Sequence, residues 1–165
     1  MKIIVASCKN FGIGFKNKLP WKLKNELKYF KKLTIGNGNN AIIMGSNTWF
    51  SLPKSPLPNR FNCVLSTKLN INTHNTKTFP SKEKIIEFTN QQNFDDVWII
   101  GGEKVYNSFV NDPIVDKIYM TNILEDFECD TFFNLPNNSF VNLPLKQINN
   151  VENNINYKQC VYQRV

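Results

Sequence analysis

Short runs of apolar and β-branched residues alternate along this chain with segments of helical periodicity, and no other feature constrains its fold as strongly. Six runs predict strands: Ile3–Cys8, Ala41–Met44, Phe61–Ser66, Val97–Ile100, Lys117–Ile123 and Tyr157–Gln163. The first four are apolar almost throughout, which is typical of strands buried on both faces of a parallel sheet. The last alternates polar and apolar residues, which favours an antiparallel strand near the C-terminus.

Four helices are predicted between these strands. The first runs from about Leu23 to Leu33. Its inward face is formed by Leu23, Leu27, Phe30 and Thr34. A short helix follows Gly45, a third is capped by Ser81, and a fourth begins at Gly102. We therefore expect one α/β domain over residues 1–165, in which about four helices flank a central, mostly parallel twisted sheet with an antiparallel C-terminal strand.

The composition argues against several classes of partner. The formal net charge is +7, but the basic residues are concentrated on the first predicted helix and are otherwise scattered. Nucleic-acid modules interleave basic and aromatic residues, and this chain does not, so we expect a basic surface for small anionic ligands and no nucleic-acid partner. No apolar run approaches the ~20 residues that span a bilayer, and the N-terminus lacks the features of a signal peptide. We expect a cytoplasmic monomer without a membrane partner.

Cysteine and histidine are too dispersed for a metal centre. The cysteines form no C-x-x-C pair and stand at Cys8, Cys63, Cys129 and Cys160. His74 is the only histidine and lies in a polar stretch. We therefore expect no metal, and free thiols in a reducing compartment.

Glu26 lies at an unexpected position on the first predicted helix. At about 100° per residue, it falls inside the apolar arc between Leu33 and Phe30. It either rests at the edge of the arc and pairs with a lysine, or it is functional. Pro20-Trp21 just upstream favours function, because it places a rigid turn and an indole beside the helix start. A carboxylate in an apolar cleft can bind a planar amidine-like edge through two parallel hydrogen bonds, and burial raises its pKa.

Two strand–glycine–helix junctions are candidate phosphate sites: Ile99-Ile100-Gly101-Gly102 and Met44-Gly45-Ser46-Asn47-Thr48. Glycine lets backbone N–H groups approach a ligand closely, and a helix N-terminus carries partial positive charge. Either junction alone could simply turn the chain, but together they indicate a pyrophosphate held from both sides. The G-x-G-x-x-G fingerprint is absent, so an ordinary Rossmann domain is not predicted.

Distinctive blocks follow one another along the whole chain: Ile4-Val5-Ala6, Gly12-Ile13-Gly14, Leu19-Pro20-Trp21 with Glu26 and Phe30, Ile43-Met44-Gly45 with Thr48-Trp49, Pro56-Leu57-Pro58 with Arg60, Leu65-Ser66, Ile99-Ile100-Gly101-Gly102 with Val105-Tyr106, Tyr119-Met120-Thr121 and Asp130-Thr131-Phe132-Phe133. In these blocks and in their order, the chain resembles the dihydrofolate reductase family from end to end. The resemblance implies the layered fold of that family. It also implies NADPH-dependent reduction of 7,8-dihydrofolate to 5,6,7,8-tetrahydrofolate, by hydride transfer to C6 and protonation of N5.

The resemblance further implies roles for individual residues. Glu26 would bind N3 and the 2-amino group of the pteridine, Thr121 would complete its hydrogen bonds, and Trp21 would order a water that delivers a proton to N5. The pocket for dihydrofolate or folate analogues is implied for Ile4, Val5, Leu27, Phe30, Leu52, Leu57, Arg60 and Ile100. Within it, Arg60 would pair with the glutamate carboxylate of the substrate. Cofactor contacts are implied for Ala6, Ile13, Gly45, Ser46, Asn47, Thr48, Gly101, Gly102, Glu103, Val105 and Tyr106. The loop Asn10–Leu19 would be a lid.

The predicted contact with the 2′-phosphate of NADPH departs from the family pattern. The family usually has a basic residue after Gly45, whereas Ser46 and Asn47 stand here. The contact could come instead from hydroxyl and ammonium groups at Ser66, Thr67, Lys68 and Lys104. We expect NADPH as the cofactor, and use of NADH stays open.

Two alternatives remain, one within the enzymes and one in a different class of function. A reductase of the same fold could act on a related pyrimidine or pterin, as riboflavin-pathway reductases do, but it would not need Glu26 and Arg60 together with Leu19-Pro20-Trp21. A catalytically inactive binding protein or a basic nucleic-acid partner is the other alternative. An inactive relative would be expected to lose the inward carboxylate or a helix-start glycine, and this sequence keeps both.

Overall fold

The computed structural model describes residues 1–165, apart from the side chain of Leu145. The strands are β1 (Lys2–Ser7), β2 (Gly12–Gly14), β3 (Asn40–Gly45), β4 (Arg60–Leu65), β5 (Thr76–Phe79), β6 (Val97–Gly101), β7 (Lys117–Ile123), β8 (Thr131–Phe132), β9 (Phe140–Asn142), β10 (Ile148–Glu152) and β11 (Ile155–Arg164). The α-helices are α1 (Lys24–Ile35), α2 (Ser46–Ser51), α3 (Lys82–Asn90) and α4 (Glu103–Phe109).

One large sheet forms the centre of the fold. Its strand order is β10-β11-β7-β1-β6-β3-β4-β5, and β9 pairs with the far part of β11. All neighbours from β7 to β5 run parallel, whereas β11 is antiparallel to β7, β9 and β10. The expected α/β fold, with a mostly parallel sheet and an antiparallel C-terminal strand, is confirmed.

The sequence patterns located the buried strands well and the polar ones poorly. Each of the six predicted strands is present within two residues of its predicted bounds, and Ser81 caps α3 by accepting a hydrogen bond from the Lys84 amide at 3.3 Å. The prediction missed β2, β5, β8, β9 and β10. Three of these are only two or three residues long, and β5 and β10 are polar edge strands without an apolar run.

Strand alternation divides the core into layers on the two faces of the sheet. On one face, Ile3 and Ile43 pack with residues of α3 and α4, including Ile85 and Phe109. On the other face, alternate residues of the same strands pack with residues of α1 and α2, namely Ile4, Ile42, Met44 and Trp98 with Phe30, Leu33 and Trp49. The helices therefore cover both faces of the sheet, as a parallel sheet requires. No helix among the described residues is both long and apolar enough to cross a membrane.

Gly101, at the end of β6, occupies a conformation and a space that exclude other residues. Its φ is +111°, and a Cβ built on it would lie 2.9 Å from the ring of Tyr106. That tyrosine is buried, and its hydroxyl donates a hydrogen bond of 2.7 Å to the Ile4 carbonyl oxygen. A side chain at position 101 would therefore displace the ring that binds β1.

We predict that Gly101→Ala lowers the free energy of unfolding by about 3 kcal/mol, because it combines backbone strain with an overpacked contact. Gly38→Ala is the matched control: Gly38 also has positive φ, +91°, but a Cβ there would meet nothing within 4 Å. The control should lose only about 1 kcal/mol. Urea unfolding of both variants tests this, and equal losses would contradict a role for the Tyr106 contact.

Candidate functional site

Glu26 lies in the first turn of α1 and points into the molecule. Its side chain is 6% exposed, and the Thr121 hydroxyl donates a hydrogen bond of 3.1 Å to its Oε1. Thr121 is buried on β7, opposite Ala6 of β1 in the sheet register. Among the described residues, no lysine forms an ion pair with Glu26, so the interpretation as a lysine-paired residue at the edge of the arc is wrong.

Three features of the surroundings act on the pKa of the Glu26 carboxyl group. Burial has the largest effect and raises the pKa above the ordinary value of 4.5, because the carboxylate loses hydration. The hydrogen bond from Thr121 stabilises the charged form and lowers the pKa, and the negative charge of Glu152 raises it. Because burial dominates, Glu26 retains its proton to a higher pH than an exposed glutamate does.

Trp21 is buried beside the start of α1. It packs in a cluster with Leu23 and Tyr157, and its ring meets that of Phe127 edge to face at 5.6 Å. Within the described part of the chain, its Nε1 is a buried donor that has no hydrogen-bond acceptor. Leaving such a donor unpaired costs about 1–3 kcal/mol, so this position favours an acceptor from outside the chain.

Most of the apolar residues implied for the substrate pocket lie in one cluster on the α1 side of the sheet. Ile4 is buried there, and half-buried side chains pack around it: Phe30, Leu52, Leu57 and Ile100. Leu27 lies on the same helix and is 49% exposed. Val5 is separated from this group, because successive side chains of a strand point to opposite faces and that of Val5 packs with the α4 residues.

Arg60 is the first residue of β4 and is buried, with 5% exposure. Its Nε donates a hydrogen bond of 2.9 Å to the Pro58 carbonyl oxygen, and its Nη1 donates one of 2.9 Å to Thr34 Oγ1. Burial lowers its pKa, although a guanidinium remains charged in proteins. Within the described residues it forms no ion pair. A buried guanidinium oriented by two neutral acceptors is suited to bind a carboxylate from outside the chain.

The two predicted glycine junctions lie next to each other. A Cβ on Gly102 would lie 3.5 Å from Thr48 Oγ1, and one on Gly45 would lie 3.1 Å from Val105 Cγ2. The helix starts of α2 and α4 therefore meet at the C-terminal ends of β3 and β6. Neither start is capped by a side chain of its own N-cap residue. In open α/β sheets ligands bind at this edge, outside the carboxyl ends of the strands.

The candidate residues for a 2′-phosphate fall into two groups. Gly45 and Leu65 are register partners, so the residues that follow them share one corner of the sheet: Ser46, Asn47, Ser66, Thr67 and Lys68. Ser66 Oγ accepts hydrogen bonds from the amides of Lys68 and Leu69, at 3.2 and 3.1 Å, and so stabilises the turn at this corner. Lys104 belongs to a different element, the start of α4, and is exposed.

The predicted lid, Asn10–Leu19, is tied to the segment around β8. Its short strand β2, which contains the half-buried Ile13, pairs with β8, and Asp130 Oδ2 accepts a hydrogen bond of 2.9 Å from the Lys16 amide. Glu103 Oε1 accepts one of 2.9 Å from the Phe132 amide. Glu103, implied as a cofactor contact, thus connects α4 to the strand that supports the lid. Local sequence patterns gave no signal for these contacts.

Comparison with known proteins points to one family. A family model described as dihydrofolate reductase matches residues 1–164. A dihydrofolate reductase of Drosophila melanogaster is 41% identical over 140 residues, covering 79% of this chain and 77% of that protein. One of Aedes albopictus is 36% identical over 181 aligned residues, covering 99% and 96%. A bifunctional dihydrofolate reductase-thymidylate synthase of Daucus carota is 36% identical over 177 aligned residues, covering 99% of this chain and 34% of that protein.

We predict that Glu26→Gln makes the folded chain more stable than the wild type at neutral pH. Because the pKa of Glu26 is raised by folding, the folded state binds the proton more tightly. The free energy of unfolding therefore rises as pH falls through the pKa of Glu26 in the folded state, and it levels off below the pKa of Glu26 in the unfolded state. The advantage of the glutamine variant should shrink towards acid pH.

Urea unfolding between about pH 8 and about pH 4 measures this difference. Glu128→Gln, the same chemical change at an exposed position, is the control. An equal loss of stability in Glu26→Gln at every pH would contradict the argument.

Proposed function

The chain belongs to the dihydrofolate reductase family and reduces dihydrofolate, and on that premise we propose the chemistry and the residues that carry it. In this proposal NADPH reduces 7,8-dihydrofolate to 5,6,7,8-tetrahydrofolate, with hydride transfer to C6 and protonation of N5. The observation that carries it is the buried carboxylate of Glu26, which accepts a hydrogen bond from Thr121 beside an apolar cluster.

Glu26 is proposed to bind the pteridine. The ring presents two adjacent donors, N3 and the 2-amino group, and a carboxylate accepts two parallel hydrogen bonds from such an edge. Thr121 fixes Oε1 of this carboxylate. Because the side chain is buried, the contact would not compete with bulk water, which supports a binding role over a surface role.

Proton delivery is proposed to use Glu26 and Trp21 together. The raised pKa of Glu26 makes proton exchange feasible near neutral pH. The unpaired Nε1 of Trp21 is a donor that would hold a water molecule. That water would pass a proton to N5, and Glu26 would replenish it.

The remainder of the substrate is proposed to lie along the α1 side of the sheet. The cluster around Ile4 offers an apolar surface to the pteridine and the aminobenzoyl ring, with Leu27 at its exposed side. Arg60 would bind the glutamate carboxylate, because its guanidinium is buried and oriented by Thr34 and Pro58. Val5 would contribute through its backbone.

The cofactor is proposed to lie across the edge where α2 and α4 begin. Gly45 and Gly102 have no Cβ, so the space that a side chain would occupy at these two helix starts stays open. This fits the close approach of a pyrophosphate to the backbone amides. Contacts are proposed for Ser46, Asn47, Thr48, Gly101, Glu103, Val105 and Tyr106, with backbone contacts from Ala6 and Ile13. When bound, NADPH supplies the hydride. The lid at Asn10–Leu19 would exclude water from the reacting rings.

We further propose a cytoplasmic monomer without a nucleic-acid partner. Its four cysteines are free thiols, which supports a reducing compartment. The proposed site takes Glu26, Thr121 and Arg60 from a single chain, which supports a monomer.

We predict that NADPH absorbance at neutral pH falls only when dihydrofolate is present, and that Glu26→Gln lowers turnover about 100-fold. The variant should recover part of its activity at acid pH, where the proton comes from solvent. Circular dichroism checks that it folds. Full activity of Glu26→Gln at neutral pH would remove this residue from the mechanism.

We also predict which lysine recognises the 2′-phosphate. Lys68 shares the sheet corner with Ser46, so Lys68→Ala should lower kcat/KM for NADPH about tenfold, the loss expected for one charge-assisted contact, and leave kcat/KM for NADH unchanged. Lys104→Ala is the alternative, and Lys31→Ala, on the outer side of α1, is the control. If neither Lys68→Ala nor Lys104→Ala alters the ratio of kcat/KM for NADPH to kcat/KM for NADH, these two lysines do not determine the cofactor preference.

A further inference from the structure

The helix that carries Glu26 begins without a cap from its own sequence. The residue at the N-cap position is Leu23, which is extended and has no side-chain acceptor. The first amide bonded to a helical carbonyl in the usual way is that of Leu27, which donates to Leu23 at 3.1 Å. The preceding amides of the first turn, including those of Lys24 and Asn25, therefore need acceptors from outside the helix.

Glu152 provides these acceptors from the other end of the chain. Its Oε2 accepts a hydrogen bond of 2.8 Å from the Lys24 amide, and its Oε1 accepts one of 2.9 Å from the Asn25 amide. A single carboxylate thus caps two successive amides immediately before Glu26. A negative charge at this position also interacts favourably with the helix dipole.

The hairpin β10–β11 determines where Glu152 lies. Glu152 ends β10 and is the register partner of Ile155. The turn between them consists of Asn153 and Asn154, with φ of +51° and +60°, as a two-residue type I′ turn requires. Asn153 Nδ2 also donates a hydrogen bond of 3.1 Å to the Lys22 carbonyl oxygen. The hairpin therefore contacts both the segment before α1 and its first turn.

The sheet that contains this hairpin also binds the Glu26 side chain directly. β11 pairs with β7, and Gln159 of β11 is the register partner of Thr121, which donates to Glu26. Glu26 is thus held directly through its carboxylate and indirectly through the cap on its helix, and the two attachments belong to β7 and β10, which lie on either side of β11. This arrangement leaves little freedom for the first turn of α1.

We propose that Glu152 is a positioning residue for the reaction: its carboxylate holds the first turn of α1 against the sheet and places a second negative charge beside Glu26. The inference rests on the proposed role of Glu26. In this proposal, the β10–β11 hairpin, which is distant in sequence from α1, helps to determine the position and the ionisation of Glu26.

The charges around Glu26 support an electrostatic effect of Glu152. The groups that interact electrostatically with Glu26 are Glu152 of β10, Tyr157 of β11, Tyr29 of α1 and, from the other face of the sheet, Tyr106 of α4, while Thr121 of β7 donates a hydrogen bond to it. Burial raises the pKa of each of the three tyrosines, that of Tyr29 to about 12, so they stay neutral during turnover. The lysines at the start of α1 are exposed, namely Lys22, Lys24 and Lys28. Glu152 is therefore the anionic member of the groups that interact with Glu26.

The test compares three variants of the full chain. Glu152→Gln removes the charge and one of the two acceptors, Glu152→Asp keeps the charge, and Glu83→Gln is the same chemical change on the exposed first turn of α3. In Glu152→Gln, the Glu26 pKa measured by ¹³C NMR of its carboxyl carbon, and the alkaline limb of the pH–turnover profile, should both move down by roughly 0.2–0.7 pH unit. Glu152→Asp and Glu83→Gln should titrate like the wild type.

A purely structural role gives a different result. Glu152→Gln would then unfold at lower urea concentration but keep the wild-type Glu26 titration, and that outcome would overturn the proposal. If Glu152→Gln does not fold, the pair Glu152→Asp and Glu152→Asn, equal in size and different in charge, takes its place: Glu26 should titrate at lower pH in Glu152→Asn than in Glu152→Asp, and equal titration would overturn the proposal. The NMR titration needs no turnover, so failure of the proposed function, seen as an inactive wild type, is distinguished from failure of this inference.

Discussion

The burial of one carboxyl group, that of Glu26, organises the site and much of its surroundings. A carboxylate removed from water destabilises the fold unless hydrogen bonds and dipoles compensate for the lost hydration. Here Thr121 donates to it from β7, and the N-terminus of α1 lies beside it. The compensation is partial, since burial still raises the pKa of Glu26. The fold thus accepts the desolvation cost of a buried carboxylate and gains a polar group that points into the molecule.

The parts of this arrangement that could be predicted from the sequence are mainly those that local periodicity reveals. The apolar runs of β1, β3, β4 and β6 identified buried parallel strands, and the helical wheel placed Glu26 inward because side-chain direction follows directly from residue spacing. The glycine junctions were also visible, since Gly45 and Gly102 precede helices that start at the strand ends. The pairing of Glu26 with Thr121 was different in kind, because it came from resemblance to a family.

The features that stayed hidden depend on contacts across the sheet. β5 and β10 are edge strands whose backbone hydrogen bonds, rather than an apolar pattern, define them. The cap on α1 joins Lys24 to Glu152, and nothing near Leu23 in the sequence indicates that an acceptor comes from a hairpin near the C-terminus. Periodicity identifies the buried face of an element but does not identify the partner on the other side. Strand alternation predicts that the side chains of Ile4 and Val5 point to opposite faces of the sheet. The family resemblance placed both residues in one pocket, because it did not assign each contact to a face.

β1 links the two halves of the proposed site. Its Ile4 side chain belongs to the cluster on the α1 side, whereas the Ile4 carbonyl oxygen accepts the hydroxyl of Tyr106, which belongs to α4 on the other face. The ring of Tyr106 occupies the space beside Gly101 that a Cβ would fill. A change at the cofactor edge would therefore reach the substrate side through one buried hydrogen bond and one strand. Because packed interiors transmit displacement rather than absorb it, a displacement at Gly101 would reach β1, whose Ala6 is the register partner of the Thr121 that donates to Glu26.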